Sequence, residues 1–192
     1  MTKLILASGS SYRKLLLQRL RLPFDVLSPD IAEARRGNEP ADEMARRLAV
    51  EKARAVAVRH PQAVVIGSDQ VAQLDNSILG KPGSMEAACE QLRQSSGRRV
   101  DFFTGVCVIA NGERQDAVEC FQVQFRHLSE EEVQRYVELE KPLDCAGSFR
   151  CEGLGSVLFQ RLNGDDPTTL EGLPLIRLSA MLRQVGLDPL SQ

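Results

Sequence analysis

Apolar residues fall along this chain in two rhythms, unbroken short runs and spaced stripes, and their alternation predicts its elements. The run LILA at 4–7 reads as a buried strand, Ser8-Gly9-Ser10-Ser11 as a turn, and Leu15, Leu16 and Leu20 as the apolar face of the helix that follows. Residues 42–59 read as a second helix with Met44, Leu48, Ala49 and Ala55 as a modest stripe, stopped by His60-Pro61. The stretch from Ala63 to Gly67 is apolar without alternation, as in a central strand covered on both faces. Ser84 then caps a helix expected to reach about Gln94. Strands at 100–110 and 118–125 are joined through Asn111-Gly112, a hairpin signal, and in the second of them Phe121, Val123 and Phe125 alternate with the wetter Gln122 and Gln124. Ser129 and Glu132 form a capping box that opens a helix through about Glu138, with Val133, Tyr136 and Val137 facing inward. Short strands are expected at 147–151 and 157–160, a closing helix at 173–185, and a mobile polar loop at 30–38. This succession predicts an α/β (mixed α+β) chain forming a single domain over residues 1–192.

Charge narrows the classes of partner. With 24 Lys plus Arg against 26 Asp plus Glu, the chain lacks the basic excess of a protein that coats a nucleic acid polymer, so any anion it binds is expected to be small. No apolar run approaches the roughly 18 residues that span a bilayer, and no signal-peptide order opens the chain, so a cytoplasmic location without membrane attachment is expected. The five cysteines show no C-x-x-C spacing, which suggests neither a disulfide framework nor a zinc site; Cys107 and Cys120 read as small core residues. Neither His60 nor His127 has a nucleophile at a recognisable spacing, so an enzymatic base would be a carboxylate.

The first strand-to-helix turn is the chemical anomaly. Cations in the first turn of a helix are disfavoured by roughly 0.3 to 1 kcal/mol each, yet Arg13 and Lys14 stand there. Either both point into water, or they join the serine hydroxyls and backbone N–H groups in holding a phosphate chain. Asp69 follows a buried strand, where open α/β sheets bind ligands, and could hold a metal ion or activate a water; alone it also reads as a turn aspartate. Glu33 in the polar loop, Lys52 in the second helix and Lys81 in the Gly-Lys-Pro turn could converge with it, although Lys52 beside Glu51 also reads as a solvated helix face. Gly105 inside a strand marks close approach by a ligand or another backbone. Neither G-x-G-x-x-G after the first strand nor G-x-x-x-x-G-K-[ST] is present, which disfavours a Rossmann or Walker-type phosphate loop.

The ordered motifs LILASGSSYRKLLL at 4–17, EKA at 51–53, IGSDQV at 66–71, GKP at 80–82, FFTG at 102–105, CAGSF at 145–149 and GLPL at 172–175 resemble the Maf family of nucleoside triphosphate pyrophosphatases, over essentially the whole chain. The wording SDQV and DCAGSFRCEGLG resembles the YceF-type branch, for which the resemblance implies action on 7-methyl-GTP. The pyrimidine-directed branch has Arg, Thr and Gln where this chain has Tyr12, Gln70 and Leu154. The resemblance implies an ITPase/Maf-like fold, a long bent mixed sheet flanked by helices with a cleft between two lobes. It further implies a divalent metal cofactor, Mg2+ or Mn2+, and cleavage between the α and β phosphates. Carried over by position, Asp69 is the catalytic base; Ser8, Ser10, Arg13, Lys52 and Lys81 bind phosphate; Glu33 and Asp69 hold the metal; and Tyr12, Gln70 and Leu154 set specificity. Of Arg13 and Lys14, only one cation need face the ligand. A homodimer is the implied assembly. The competing expectations are the same reaction on dTTP and UTP, or a non-catalytic nucleotide-binding regulator of cell division.

Overall fold

The apolar runs become strands of one mixed sheet, in the order β2-β1-β3-β5-β6-β7 with β4 alongside β3. The strands are β1 (Leu4–Ala7), β2 (Asp25–Val26), β3 (Val64–Leu74), β4 (Ser77–Leu79), β5 (Arg99–Ala110), β6 (Glu113–Phe125) and β7 (Phe159–Asn163). The helices are α1 (Ser11–Gln18), α2 (Ala41–Ala57), α3 (Met85–Ser95), α4 (Glu130–Glu140) and α5 (Leu175–Gln184), with 3-10 turns at Leu154–Leu158 and Pro167–Thr169. This computed structural model describes residues 2–191, and among them no helix is long and apolar enough to cross a membrane. The chain divides into two compact units. The first takes the chain as far as Gln70, then Thr104–Glu119 and the chain from Asp166; the second takes Val71–Phe103 and Cys120–Asp165.

In the first unit β1 lies parallel to both β2 and β3, in register Leu4 to Val64 through Ala7 to Gly67. Alternate strand residues feed two separate cores, which explains why these runs show no polar alternation. Leu4, Leu6, Val64, Ile66, Val106 and Val108 pack under α1 and α5 with Leu16, Leu17, Leu178 and Leu182. Ile5, Ala7, Val65 and Cys107 pack under α2 with Ala49, Ala53 and Val56. Helix α2 lies unusually close to the sheet. A Cβ on Gly67 would stand 2.2 Å from the Ala49 carbonyl oxygen, and one on Gly105 would stand 2.2 Å from that of Ala45. Gly105 therefore admits another backbone, one of the two alternatives its position left open. The hairpin between β5 and β6 turns through Asn111 and Gly112, both at positive φ, the form that suits the twist of the flanking strands.

In the second unit β4 pairs antiparallel with the end of β3, and β7 pairs antiparallel with the end of β6 across an irregularity at Gln124/Phe125. Phe102, Phe125, Phe149 and Phe159 form an edge-on aromatic cluster with centroids 4.9 to 5.8 Å apart. The capping box of α4 forms as expected, Ser129 Oγ accepting from the Glu132 N–H and the Glu132 carboxylate from the Ser129 N–H.

Several expectations require correction. Strand β3 does not end at Gly67: Ser68 and Asp69 are buried strand positions, their polarity met by the Gly105 carbonyl and the Lys52 ammonium rather than by a turn. In α1 the buried pair is Leu16 and Leu17, while Leu15 is 61% exposed, because the apolar face is rotated by one residue. Residues 147–151 form a turn, since Gly147 and Ser148 both take positive φ, which no strand accommodates. Cys120 is exposed whereas Cys107 is buried; period two puts Phe121, Val123 and Phe125 inward and Cys120 outward. Burial pushes the Cys107 thiol up to about 12, as for an inert core residue.

Candidate active site

The first unit gathers most of the expected polar residues around the C-terminal end of β1. Ser10 caps α1, its hydroxyl accepting from the Arg13 N–H, and the buried Ser8 hydroxyl accepts from the Ser10 N–H at 3.1 Å. Tyr12 and Arg13 follow in the first turn. The two cations at this turn separate: Lys14 is exposed, while Arg13 turns inward and its Nε donates to the Gly172 carbonyl at 2.8 Å. Its guanidinium then lies 4.0 Å from the Asp69 carboxylate. Burial pushes Arg13 below its ordinary value, and the negative charges of Asp69 and Glu33 act in the opposite direction.

Asp69 and Lys52 meet because α2 lies so close to β3. Lys52 is only 6% exposed, and its Nζ stands 2.6 Å from Asp69 Oδ1 and 2.7 Å from Glu33 Oε1. The solvated-face reading of Lys52 is thereby overturned. Glu33 comes from the connection between β2 and α2, which Arg47 ties down. The Arg47 guanidinium makes a two-pronged pair with Glu39 at 2.7 and 2.8 Å, donates to the Ala34 carbonyl at 3.1 Å and pairs with Glu51 one turn on. That pairing holds the Glu39 carboxyl below its ordinary value.

A second connection, Thr169 to Gly172, is gathered by four side chains. Gln70 Nε2 faces the Thr169 carbonyl at 2.8 Å, the Leu170 carbonyl at 3.1 Å and Thr104 Oγ1 at 3.1 Å. Thr104 also donates to the Thr169 carbonyl at 2.9 Å. Two carbonyl oxygens accept only from the amide nitrogen, which fixes the amide orientation of Gln70. Ser68 Oγ lies 3.1 Å from the Gly172 carbonyl that also holds Arg13. Ser68, Arg47 and Gly172 were not singled out from sequence. The pairing of Arg47 with Glu51 was legible as an i, i+4 pair, but its grip on the loop needed the fold.

Lys81 and Leu154 belong to the second unit. Lys81 is exposed between β4 and α3, and Leu154, 41% exposed, opens a 3-10 turn. Among the described residues no group of three or more His, Cys, Asp or Glu could hold a metal ion. Glu33 and Asp69 nevertheless define a cation position, since the Lys52 ammonium already stands between them. Two carboxylates suit a hard cation that takes its remaining oxygens from water and phosphate. A buried carboxylate flanked by Arg and Lys beside a capped helix start is chemically fitted to act on a phosphate chain.

Residues 3–185 match the family described as Maf-like protein. The chain is 55% identical over 190 residues to a 7-methyl-GTP pyrophosphatase of Pseudomonas aeruginosa, covering 98% of this chain and 99% of that one. It is 53% identical to the protein of the same name from Pseudomonas putida, covering 97% and 98% respectively, and 52% identical to that of Chromohalobacter salexigens, covering 99% and 100%. Two solved structures share its mixed α/β fold: a HAM1 protein from Coxiella burnetii (TM-score 0.56) and the Ham1 protein of Staphylococcus aureus (TM-score 0.53). Each is 16% identical, with 96% of this chain and 100% of that chain covered.

Proposed function

The chain belongs to the Maf-like protein family, and we propose that it is a pyrophosphatase that hydrolyses 7-methyl-GTP to 7-methyl-GMP and pyrophosphate. The observation that carries this reading is the contact of Asp69 with Lys52, 4.0 Å from the Arg13 guanidinium, at the N-terminus of α1. Asp69 takes the proton of the attacking water as general base. Ser8, Ser10, Arg13 and Lys52 hold phosphate oxygens, and the Gly-Lys-Pro motif assigns Lys81 a phosphate-binding role as well. A binder alone has no use for a buried carboxylate facing an anion, because its charge opposes binding.

A divalent cation, Mg2+ or Mn2+, supplies charge neutralisation of the phosphates when bound, and Glu33 and Asp69 are the residues that would hold it. On the base, methylation at N7 leaves guanine with positive charge, which the Tyr12 ring face attracts by about 0.5 to 2 kcal/mol. Gln70 Oε1 accepts from the Watson–Crick edge of guanine, whose N1–H and amino group are donors. Leu154 is the third position at which this chain differs from the pyrimidine-directed branch.

A pyrophosphate-release screen over 7-methyl-GTP, GTP, dTTP and UTP, with Mg2+, Mn2+ and chelator, tests the reading. Release from 7-methyl-GTP above the others, abolished by chelator, is expected. Preference for dTTP and UTP would move the protein to the pyrimidine branch, and binding without release from any of them would make it a nucleotide-binding regulator.

A further inference from the structure

Lys52 stands where a metal ion would. Its ammonium is 2.6 Å from Asp69 and 2.7 Å from Glu33, and its side chain is nearly withdrawn from water. We propose that Lys52 is an exchangeable plug: in the free protein it fills the cation position between the two carboxylates, and it passes to the phosphate chain when nucleotide arrives. The divalent cation then enters only together with the nucleotide.

Three observations converge on this exchange. Magnesium–oxygen distances are about 2.0 to 2.1 Å, so an ion bound by both carboxylates would overlap the ammonium and be repelled by its charge. Among the described residues no third His, Cys, Asp or Glu joins the two carboxylates, so non-carboxylate oxygens such as those of water and phosphate fill the rest of the shell. Charge also balances in the free site, where Lys52 and Arg13 face Asp69 and Glu33. A lone divalent ion would upset that balance, whereas a triphosphate gives Lys52 new anionic oxygens and frees both carboxylates. Being buried, Lys52 cannot simply swing into solvent without giving up its partners.

The inference rests on the pyrophosphatase reading only for the identity of the phosphate chain. Its first test contains no nucleotide: Mn2+ binding to the free full-length protein, read by electron paramagnetic resonance. Lys52→Met should bind Mn2+ on the order of tenfold tighter than the unaltered chain, the scale at which neighbouring groups move metal affinity. Adding Asp69→Asn to that variant should remove the gain. Equal affinity in Lys52→Met and the unaltered chain overturns the proposal. A second test follows the ammonium in the unaltered chain. The Lys52 ammonium resonance of 15N-lysine-labelled protein, assigned by its absence from Lys52→Arg, should stay in place with Mg2+ alone and move when the α,β-methylene analogue of 7-methyl-GTP is added with Mg2+. Movement with Mg2+ alone overturns the plug, and so does an unmoved resonance with the analogue bound. Failure of the pyrophosphatase reading would instead appear as absence of pyrophosphate release, which the Mn2+ titration does not measure.

Discussion

Gly67 sets the distance between α2 and β3, and with it the contact of Lys52 with Asp69. In Gly67→Ala the new Cβ would lie 2.2 Å from the Ala49 carbonyl oxygen and 2.6 Å from the Ala53 nitrogen, against the 3.4 Å at which ordinary contact begins. The shortfall from 3.4 to 2.2 Å is 1.2 Å, and both obstructing atoms are backbone, so no side chain can swing aside. Helix α2 must move off the sheet by about 1 Å. Forcing an extra methyl into a packed core costs about 1 to 3 kcal/mol, or roughly 2 to 12 °C in Tm for a chain of this size. Lys52 precedes Ala53, and Asp69 follows Gly67 by two residues. The same displacement therefore stretches their 2.6 Å contact in the free protein and misplaces Lys52 against the phosphate chain it must reach, and a misplacement of about 1 Å costs on the order of 10²-fold in turnover. Thermal unfolding and pyrophosphate release from one preparation measure both effects. Gly80→Ala, whose Cβ would meet nothing within 4 Å, is the stability control. A Gly67→Ala protein with unchanged Tm and turnover would refute the close-packing argument.

Gly172 takes φ +103° with room around it, so Gly172→Ala strains backbone rather than packing. That variant should lose about 1 to 3 kcal/mol in denaturant unfolding and raise the Michaelis constant through the carbonyl that holds Arg13. Arg47→Met should release the connection that carries Glu33, seen as faster amide exchange over residues 30–38 with the Tm nearly kept. At low pH the capping box of α4 should fail in a defined window. Hydrogen bonds from Arg126 and then from the Ser129 N–H lower the Glu132 carboxyl from 4.5 to about 2, so its stabilisation is full above 4.5 and is lost as pH falls toward 2. The unfolding midpoints of Glu132→Gln and the unaltered chain should converge across that interval, and a constant gap would contradict the assignment.

The elements were legible where pattern and capping agreed. LILA at 4–7, the hairpin at Asn111-Gly112 and the capping box at Ser129 each carry their signal within a few residues, and each forms in the fold. The two-residue β2 carries no such signal, and β4 is a short pairing partner recruited by β3. Ser68 and Asp69 looked like a turn because a sequence does not show that Gly105, Gly172 and Lys52 supply their partners. The inward turn of Arg13 could be suspected from an unfavourable cation at a helix start, a local conflict that only a ligand or a buried anion resolves. Lys52 was harder, since a lysine beside a glutamate in mid-helix has the same pattern whether it faces water or Asp69. What decides it is the glycine pair at 67 and 105, whose meaning depends on which helix crosses them.

The central claim is that Asp69 drives cleavage of a nucleoside triphosphate into monophosphate and pyrophosphate. The most direct measurement is a product analysis of 7-methyl-GTP turned over by the unaltered chain and by Asp69→Asn, under saturating Mg2+. The account predicts 7-methyl-GMP and pyrophosphate in equal amounts from the unaltered protein, and a rate lower by about 10² to 10⁴-fold from a variant that still folds and binds nucleotide. Release of inorganic phosphate with 7-methyl-GDP, or equal rates from the two proteins, would contradict it.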